Sequence, residues 1–241
     1  MSTTCVRCWV ALCVVQSAAA LRPAARRSPA RTRRPFGDFK LPSFENPFDD
    51  RPGATVGALQ VALANRDMAA TMVVARAADR FAGDRSRAAL PNFVANVATE
   101  LRRRSDSWLY AAATVERVDP GRVERGDHER AYNRLVDREA AKFDVERTPT
   151  AAELDATGGG VKGLCVVSLV FALEGDRAGD LAGAAASEAA MRDAVAAVAA
   201  AGAVRGGAEL YNAEVLWTPS DAEEPLFAPE MVLSFPELLA L

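Results

Sequence analysis

The chain has 241 residues, enough for one domain with a sizeable core, and a formal net charge of −3. Residues 1–36 hold seven Arg and no Asp or Glu, so the remaining residues together carry −10, the −3 less those seven. An acidic body of this kind is poorly suited to a phosphate backbone, so no nucleic-acid partner is expected.

Residues 9–20, WVALCVVQSAAA, are apolar but too few to span a bilayer as a helix, which takes roughly 20 residues. Ala18, Ala19 and Ala20 supply the small residues of a signal-peptidase site. Residues 21–36, LRPAARRSPARTRRPF, have six Arg, no acid, and Ser and Pro between them, the composition of a transit peptide. A secretory signal followed directly by a transit-like segment resembles the bipartite presequence of algae with secondary, red-lineage plastids. In those presequences Phe usually follows the cut; here it is Leu21. The expectation is a plastid protein of the stroma or the stromal face of a plastid membrane, with a signal peptide at 1–20, a transit segment at 21–36 and a working part from about Phe36. The alternative is a secreted protein with a basic N-terminus. Cys5, Cys8 and Cys13 fall in the presequence, leaving Cys165 as a buried core residue and no internal disulfide.

Residues 37–54 are rich in Pro, Phe and Asp and have no periodicity, so they read as an extended arm. Phe39, Phe44 and Phe48 are its candidate contacts to a partner or to the domain itself. A domain over 55–241 follows. Residues 56–64 alternate, with Leu59, Val61 and Leu63 on one face of a strand. Residues 67–81 predict a helix with Met68, Met72 and Ala75 on one face. Residues 90–104 predict a second, with Leu90, Phe93, Val94, Val97 and Leu101 as its stripe, Pro91 in the first turn and Arg102 to Arg104 in the last. Residues 108–118 fit a strand or a capped helix; Trp108, Tyr110 and Thr114 favour the strand. Asp119-Pro120-Gly121 ends it as a turn.

Residues 127–143 form an amphipathic helix with Tyr132, Leu135, Val136 and Phe143 inward, and 148–160 are a loop. Residues 161–173 are apolar on both alternate sets apart from Lys162 and Ser168, the mark of an interior strand. Ser187 caps a helix through Ala201, with Met191, Val195 and Val198 inward and Gly202 as its stop. Residues 208–217 read as a strand with Tyr211, Ala213, Val215 and Trp217 on one face and Glu209, Asn212 and Glu214 mostly on the other. Residues 229–239 read as a closing helix. The order predicts an α+β single domain, a three- or four-stranded mixed sheet with helices packed on it. Residues 161–173 and 208–217 would be a parallel pair joined by a right-handed crossover.

No catalytic constellation stands out. His128 is the single histidine, so zinc sites and Ser-His-Asp or Cys-His catalysis lack their parts. Gly158-Gly159-Gly160 precedes a strand, whereas a phosphate-cradling loop follows one. Arg102 to Arg104 could form an anion patch, but on a helix end they answer the dipole and solvent. Trp108, Tyr110, Tyr211 and Trp217 could stack a ligand; core packing is the simpler reading. No cofactor or metal is expected, and nothing after Ala20 is apolar for long enough to cross a membrane.

Several phrases together resemble the uncharacterised family 1517 of domains of unknown function. They are GALQVAL (57–63) with RDM (66–68), DSWLYA (106–111), AYNRLVDREAAKF (131–143), SEAAMRDAVAAV (187–198), AEVLWTP (213–219) and APEMVLSFPEL (228–238). The resemblance covers about 55–241 and rests most on AEVLWTP and RLVDREAAKF. It marks Trp108, Tyr110, Tyr132, Asn133, Lys142, Phe143, Glu214, Leu216, Trp217, Thr218 and Pro219 as family positions of structural character. The family occurs in cyanobacteria and plastids, and its plant relatives include the fluctuating-light-acclimation protein of chloroplast membranes. No catalytic residue is established for it. Those relatives carry membrane segments where this chain has its short arm. The resemblance therefore implies a non-enzymatic accessory protein, peripheral rather than integral, that binds a protein partner at a plastid membrane. The alternatives are a stromal enzyme or small-molecule binder, and a stable subunit of a photosystem or antenna complex.

Overall fold

Two runs rich in small and branched apolar residues become the two central strands. In the computed structural model, which describes residues 52–65, 69–82, 89–143, 163–203, 207–219 and 226–241, β1 spans Ala54–Ala64 and β3 spans Leu164–Glu174. They pair antiparallel along their whole length. β2 (Trp108–Val118) flanks β1, and β4 (Leu210–Thr218) flanks β3. A two-residue strand, β5 (Leu239–Ala240), adds to β2 at Tyr110 and Ala111. The sheet order is β4-β3-β1-β2-β5. Residues 1–51, which include Phe39, Phe44 and Phe48, as well as Met68 and residues 148–160, lie outside the described residues.

The sheet corrects the sequence expectation in two ways. It has five strands, because β5 is too short to leave a periodic signal. Every pairing is antiparallel rather than mixed. The 161–173 and 208–217 segments were expected to run parallel through a single crossover helix. Instead the chain leaves β3, passes α5 (Ala178–Ala182) and a 3-10 turn at Ala184–Ala186, which pack against β2, and then returns through α6 (Glu188–Ala203). Out and back makes a round trip, so β4 starts beside the end of β3, where the Glu174 amide donates to the Glu209 carbonyl at 2.8 Å.

One face of the sheet carries the larger core. Leu59, Val61, Leu63, Cys165, Val167, Leu169 and Phe171 point there and meet α1 (Ala69–Ala82), α2 (Leu90–Arg103) and α6. Gly57 stands opposite Phe171 because an added Cβ would lie 2.7 Å from the ring and 2.8 Å from the Thr114 carbonyl oxygen. α2 buries the predicted stripe. In α1 the buried side is Ala70, Thr71, Val74, Ala77 and Ala78, while Met72, expected on the inner face, is exposed. The Asn65 side chain sets that phase: its Oδ1 accepts from the Ala70 and Thr71 amides and its Nδ2 donates to the Thr71 hydroxyl. Small residues then face inward and let α1 approach, with Phe81 stacked on Phe93 at 4.6 Å.

Ser187 does cap α6, accepting from the Ala190 amide, and Met191, Val195 and Val198 are buried. Gly202 does not stop the helix. It lies within α6 where a Cβ would meet the Pro91 backbone at 3.4 Å, so its role is the close crossing of α2. The closing helix is also shorter than expected: α7 spans Ala228–Ser234. Pro236 lacks an amide donor and disfavours helical geometry at Phe235, so the chain leaves the helix there. Asp119-Pro120-Gly121 opens a one-turn helix, α3 (Pro120–Val123), and α4 (Asp127–Phe143) follows as expected.

Candidate functional site

The second face of the sheet is covered by α4 and the C-terminal segment, and it is not uniformly apolar. Ala54, Val56, Ala58, Val170 and Ala172 pack with Tyr132, Leu135 and Val136 of α4 in one cluster. Ala62, Leu164 and Val166 pack with Leu226, Met231 and Phe235 in another. Between them runs a buried polar row. Gln60 of β1 and Ser168 of β3 are cross-strand partners, and the Gln60 Nε2 donates to the Ser168 hydroxyl at 2.8 Å. The same amide donates to the Glu139 carboxylate of α4 at 2.6 Å. Glu139 is 1 % exposed. It also accepts from Lys142 at 2.7 Å and from Arg138, and Lys142 reaches on to Glu237 in the C-terminal segment.

A buried carboxylate is tolerable only when its charge is matched and its lone pairs are used. Glu139 meets both conditions with one cation on each side and Gln60 beneath. Its acceptor positions are occupied, so the row can hold elements together but offers no free base. Ser168 is fully buried and already accepts from Gln60. Among the described residues no group of three or more His, Cys, Asp or Glu could hold a metal ion.

β4 carries the row's outer neighbour. Ser168 is paired with Leu216 and Val170 with Glu214, placing Glu214 on the α4 side of the sheet. Burial, with repulsion from Asp137 of α4 second, pushes the Glu214 carboxyl up to about 7. The pairing shifts register between Ala172 and Leu173, which face Asn212 and Leu210 and leave Tyr211 as an extra residue. That bulge turns Tyr211 away from Ala213, Val215 and Trp217, with which it was expected to share a face, and into the α4 cluster beside His128, ring to ring at 5.0 Å.

The family positions scatter accordingly. Trp108 is buried in the larger core and Trp217 half-buried against it, and neither indole nitrogen has a hydrogen-bond partner among the described residues. Tyr110 belongs to the C-terminal cluster, and Phe143 meets Phe235 edge-on at 5.2 Å. Tyr132 and Leu216 pack in the α4 cluster. Asn133 is exposed, and Thr218 pairs with Val166 ahead of buried Pro219. The four aromatic residues considered as a stacking surface therefore do not converge. Lys142 does join a site, the polar row, whose other members, Gln60, Glu139, Ser168 and Glu237, sequence reasoning passed over. Two signals pointed to them. Gln60 and Ser168 are lone polar residues inside apolar strands, and Glu139 falls on the stripe that Tyr132, Val136 and Phe143 define at three- and four-residue steps.

Elsewhere, α1 and α2 frame a solvent-facing groove of about 300 Å³. Arg103 on its α2 side and Arg104, the next residue and outside the groove, both bind Glu100, at 2.8 and 2.7 Å, so these end-of-helix arginines answer a side chain as well as the helix dipole. Glu100 lies below its ordinary carboxylate value, held there first by the Arg104 hydrogen bond. No helix among the described residues is long and apolar enough to cross a membrane.

A family model described as a protein of unknown function (DUF1517) matches residues 53–241. No curated protein and no solved structure matches.

Proposed function

Because this chain belongs to the DUF1517 family of proteins of unknown function, we propose that it is a non-enzymatic accessory protein of the plastid that acts by binding a protein partner at a plastid membrane, in the acclimation of photosynthesis to light. The plastid location is supported by the apolar-then-arginine-rich composition of residues 1–36. The observation that carries the binding role is the exposed apolar surface at the C-terminus. Among the described residues the exposed large hydrophobic side chains are Met72, Val232, Leu233, Leu239 and Leu241, and four of these five lie in the last ten residues. Exposed apolar side chains gathered in one short segment support a contact surface, whereas single scattered ones need no explanation.

The patch is fixed in place. Leu226 bridges Leu164, the Leu241 amide donates to the Leu109 carbonyl, and Glu237 is held by Lys142. The arm enters at the other end of the sheet, where Gly53 lies against Val118. Val118 and Ala111 are seven residues apart on β2, about 23 Å, so the chain joins the domain at Gly53 well away from the patch.

Fractionation of the source plastids tests the reading. The protein should sediment partly with membranes and be washed off by mild detergent with a partner attached. Val232→Ser/Leu233→Ser/Leu239→Ser should release it into the soluble fraction. A protein never found with membranes, or a triple variant that sediments like the wild type, would sink the proposal. Fixed stoichiometry with a photosystem or antenna complex would instead favour the stable-subunit alternative.

A further inference from the structure

We propose that the groove between α1 and α2 is a binding site for a compact phosphate-bearing anion, a function independent of the C-terminal patch. Its polar lining comes from two helices: Arg76 and Arg80 on α1, and Asn96, Thr99, Glu100 and Arg103 on α2. Val73 and Ala77 complete the lining. Arg76 and Arg80 are one turn apart, so their like charges face the same side. Among the described residues neither has an ion-pair partner. The single lining carboxylate, Glu100, is already shared by Arg103 and by Arg104 just outside the groove. Three guanidiniums against one carboxylate leave a local surplus of two positive charges, in a chain whose net charge is negative.

The donor inventory selects the ligand class. Each guanidinium offers five N–H donors and no acceptor. The Asn96 amide and Thr99 hydroxyl can add more donors. A ligand here must be rich in acceptors, anionic, and able to accept from two helices at once. A planar carboxylate satisfies one guanidinium fork; a tetrahedral phosphate presents oxygens in several directions and takes bidentate bonds from more than one Arg. A cavity of about 300 Å³ lies at the small end of ligand sites, which suits a mono- or diphosphate group. That group could belong to a free metabolite or to a lipid headgroup, and the chemistry of recognition is the same.

The test uses the full chain and two probes: inorganic pyrophosphate, followed by calorimetry, and phosphatidylcholine vesicles with and without phosphatidylinositol phosphate, followed by flotation. The seven arginines of residues 1–36 are common to every variant and cancel in comparisons. Arg76→Gln/Arg80→Gln should weaken binding by about tenfold or more, since each lost charge-assisted pair is of that order. Arg117→Gln/Arg134→Gln removes the same charge away from the groove and should leave binding unchanged. Glu100→Gln should tighten it, because Arg103 and Arg104 are freed for the ligand; a gain cannot come from misfolding. Pyrophosphate binding that follows this pattern assigns the site to a free phosphate compound, and the same pattern on phosphoinositide vesicles alone assigns it to a headgroup. Binding to neither probe, or binding unchanged by Arg76→Gln/Arg80→Gln, overturns the proposal.

Discussion

Glu214 gives the most exacting test of the packing between α4 and β4. Its carboxyl titrates near 4.5 when the chain is unfolded and near about 7 in the native protein, because burial and then Asp137 disfavour the charge. Below pH 4.5 both states hold the proton. Between the two values the native state keeps a proton that the unfolded chain has lost, so stability falls as pH rises. Above about 7 both are ionised and the penalty is constant. At 1.36 kcal/mol per pH unit the gap sets a ceiling of about 3.4 kcal/mol. Glu214 retains solvent contact, so screening lowers the expected penalty to about 1–2 kcal/mol. Glu214→Gln removes the titrating group while keeping its shape. The variant should match the wild type at pH 4.5 and exceed it at pH 8 by about 3–6 °C in Tm for a domain of this size. Asp137→Asn should give part of the same gain at pH 8. Urea unfolding from pH 4.5 to 8 follows both. Equal pH dependence in wild type and Glu214→Gln would refute the reasoning, since it would mean the carboxyl is solvated and the β4–α4 contact looser than described.

Two further predictions concern the sheet. Lys142→Ala removes the main cation from buried Glu139 and should cost about 2–4 kcal/mol, read as a fall in the urea midpoint, whereas Arg138→Ala, on the exposed side, should cost much less. Gly57→Ala should destabilise by about 1–3 kcal/mol through overpacking against Phe171; a variant of unchanged Tm would show that the ring has room to move.

Strands and long helices were legible because their signals are local. The segment expected as an interior strand at 161–173 holds one at Leu164–Glu174, and the stripe of residues 90–104 recurs unaltered in α2. What was not legible depends on distant partners. Nothing within residues 208–217 announces that Tyr211 is the extra residue of a bulge, because the bulge exists only against Ala172 and Leu173. Met72 looks like a core residue by hydropathy, yet Asn65 turns α1 so that smaller residues face in. The parallel arrangement of β3 and β4 was a reasonable inference from one long helix between them, but the short α5 and its 3-10 turn reverse the arithmetic. The polar row left only local hints, the lone polar Gln60 and Ser168 in apolar strands and Glu139 on an apolar stripe, because the three make sense together only when three elements meet.

The row also explains why the C-terminal surface can serve as a fixed contact. A tail of sixteen described residues, 226–241, buries only a few side chains of its own, chiefly Leu226, Met231 and Phe235. Alone these would leave its orientation weakly determined. The Glu237–Lys142–Glu139–Gln60–Ser168 chain of contacts ties it to the centre of the sheet through groups that are costly to leave unpaired. Each link is specific in direction, unlike apolar contact, so the tail has one favoured seating. Val232, Leu233 and Leu239 are thereby held outward rather than folded back onto the apolar surface nearby. A contact surface ordered in advance loses less conformational entropy when a partner arrives. On this argument the buried polar row is what would make the proposed contact surface usable to a partner.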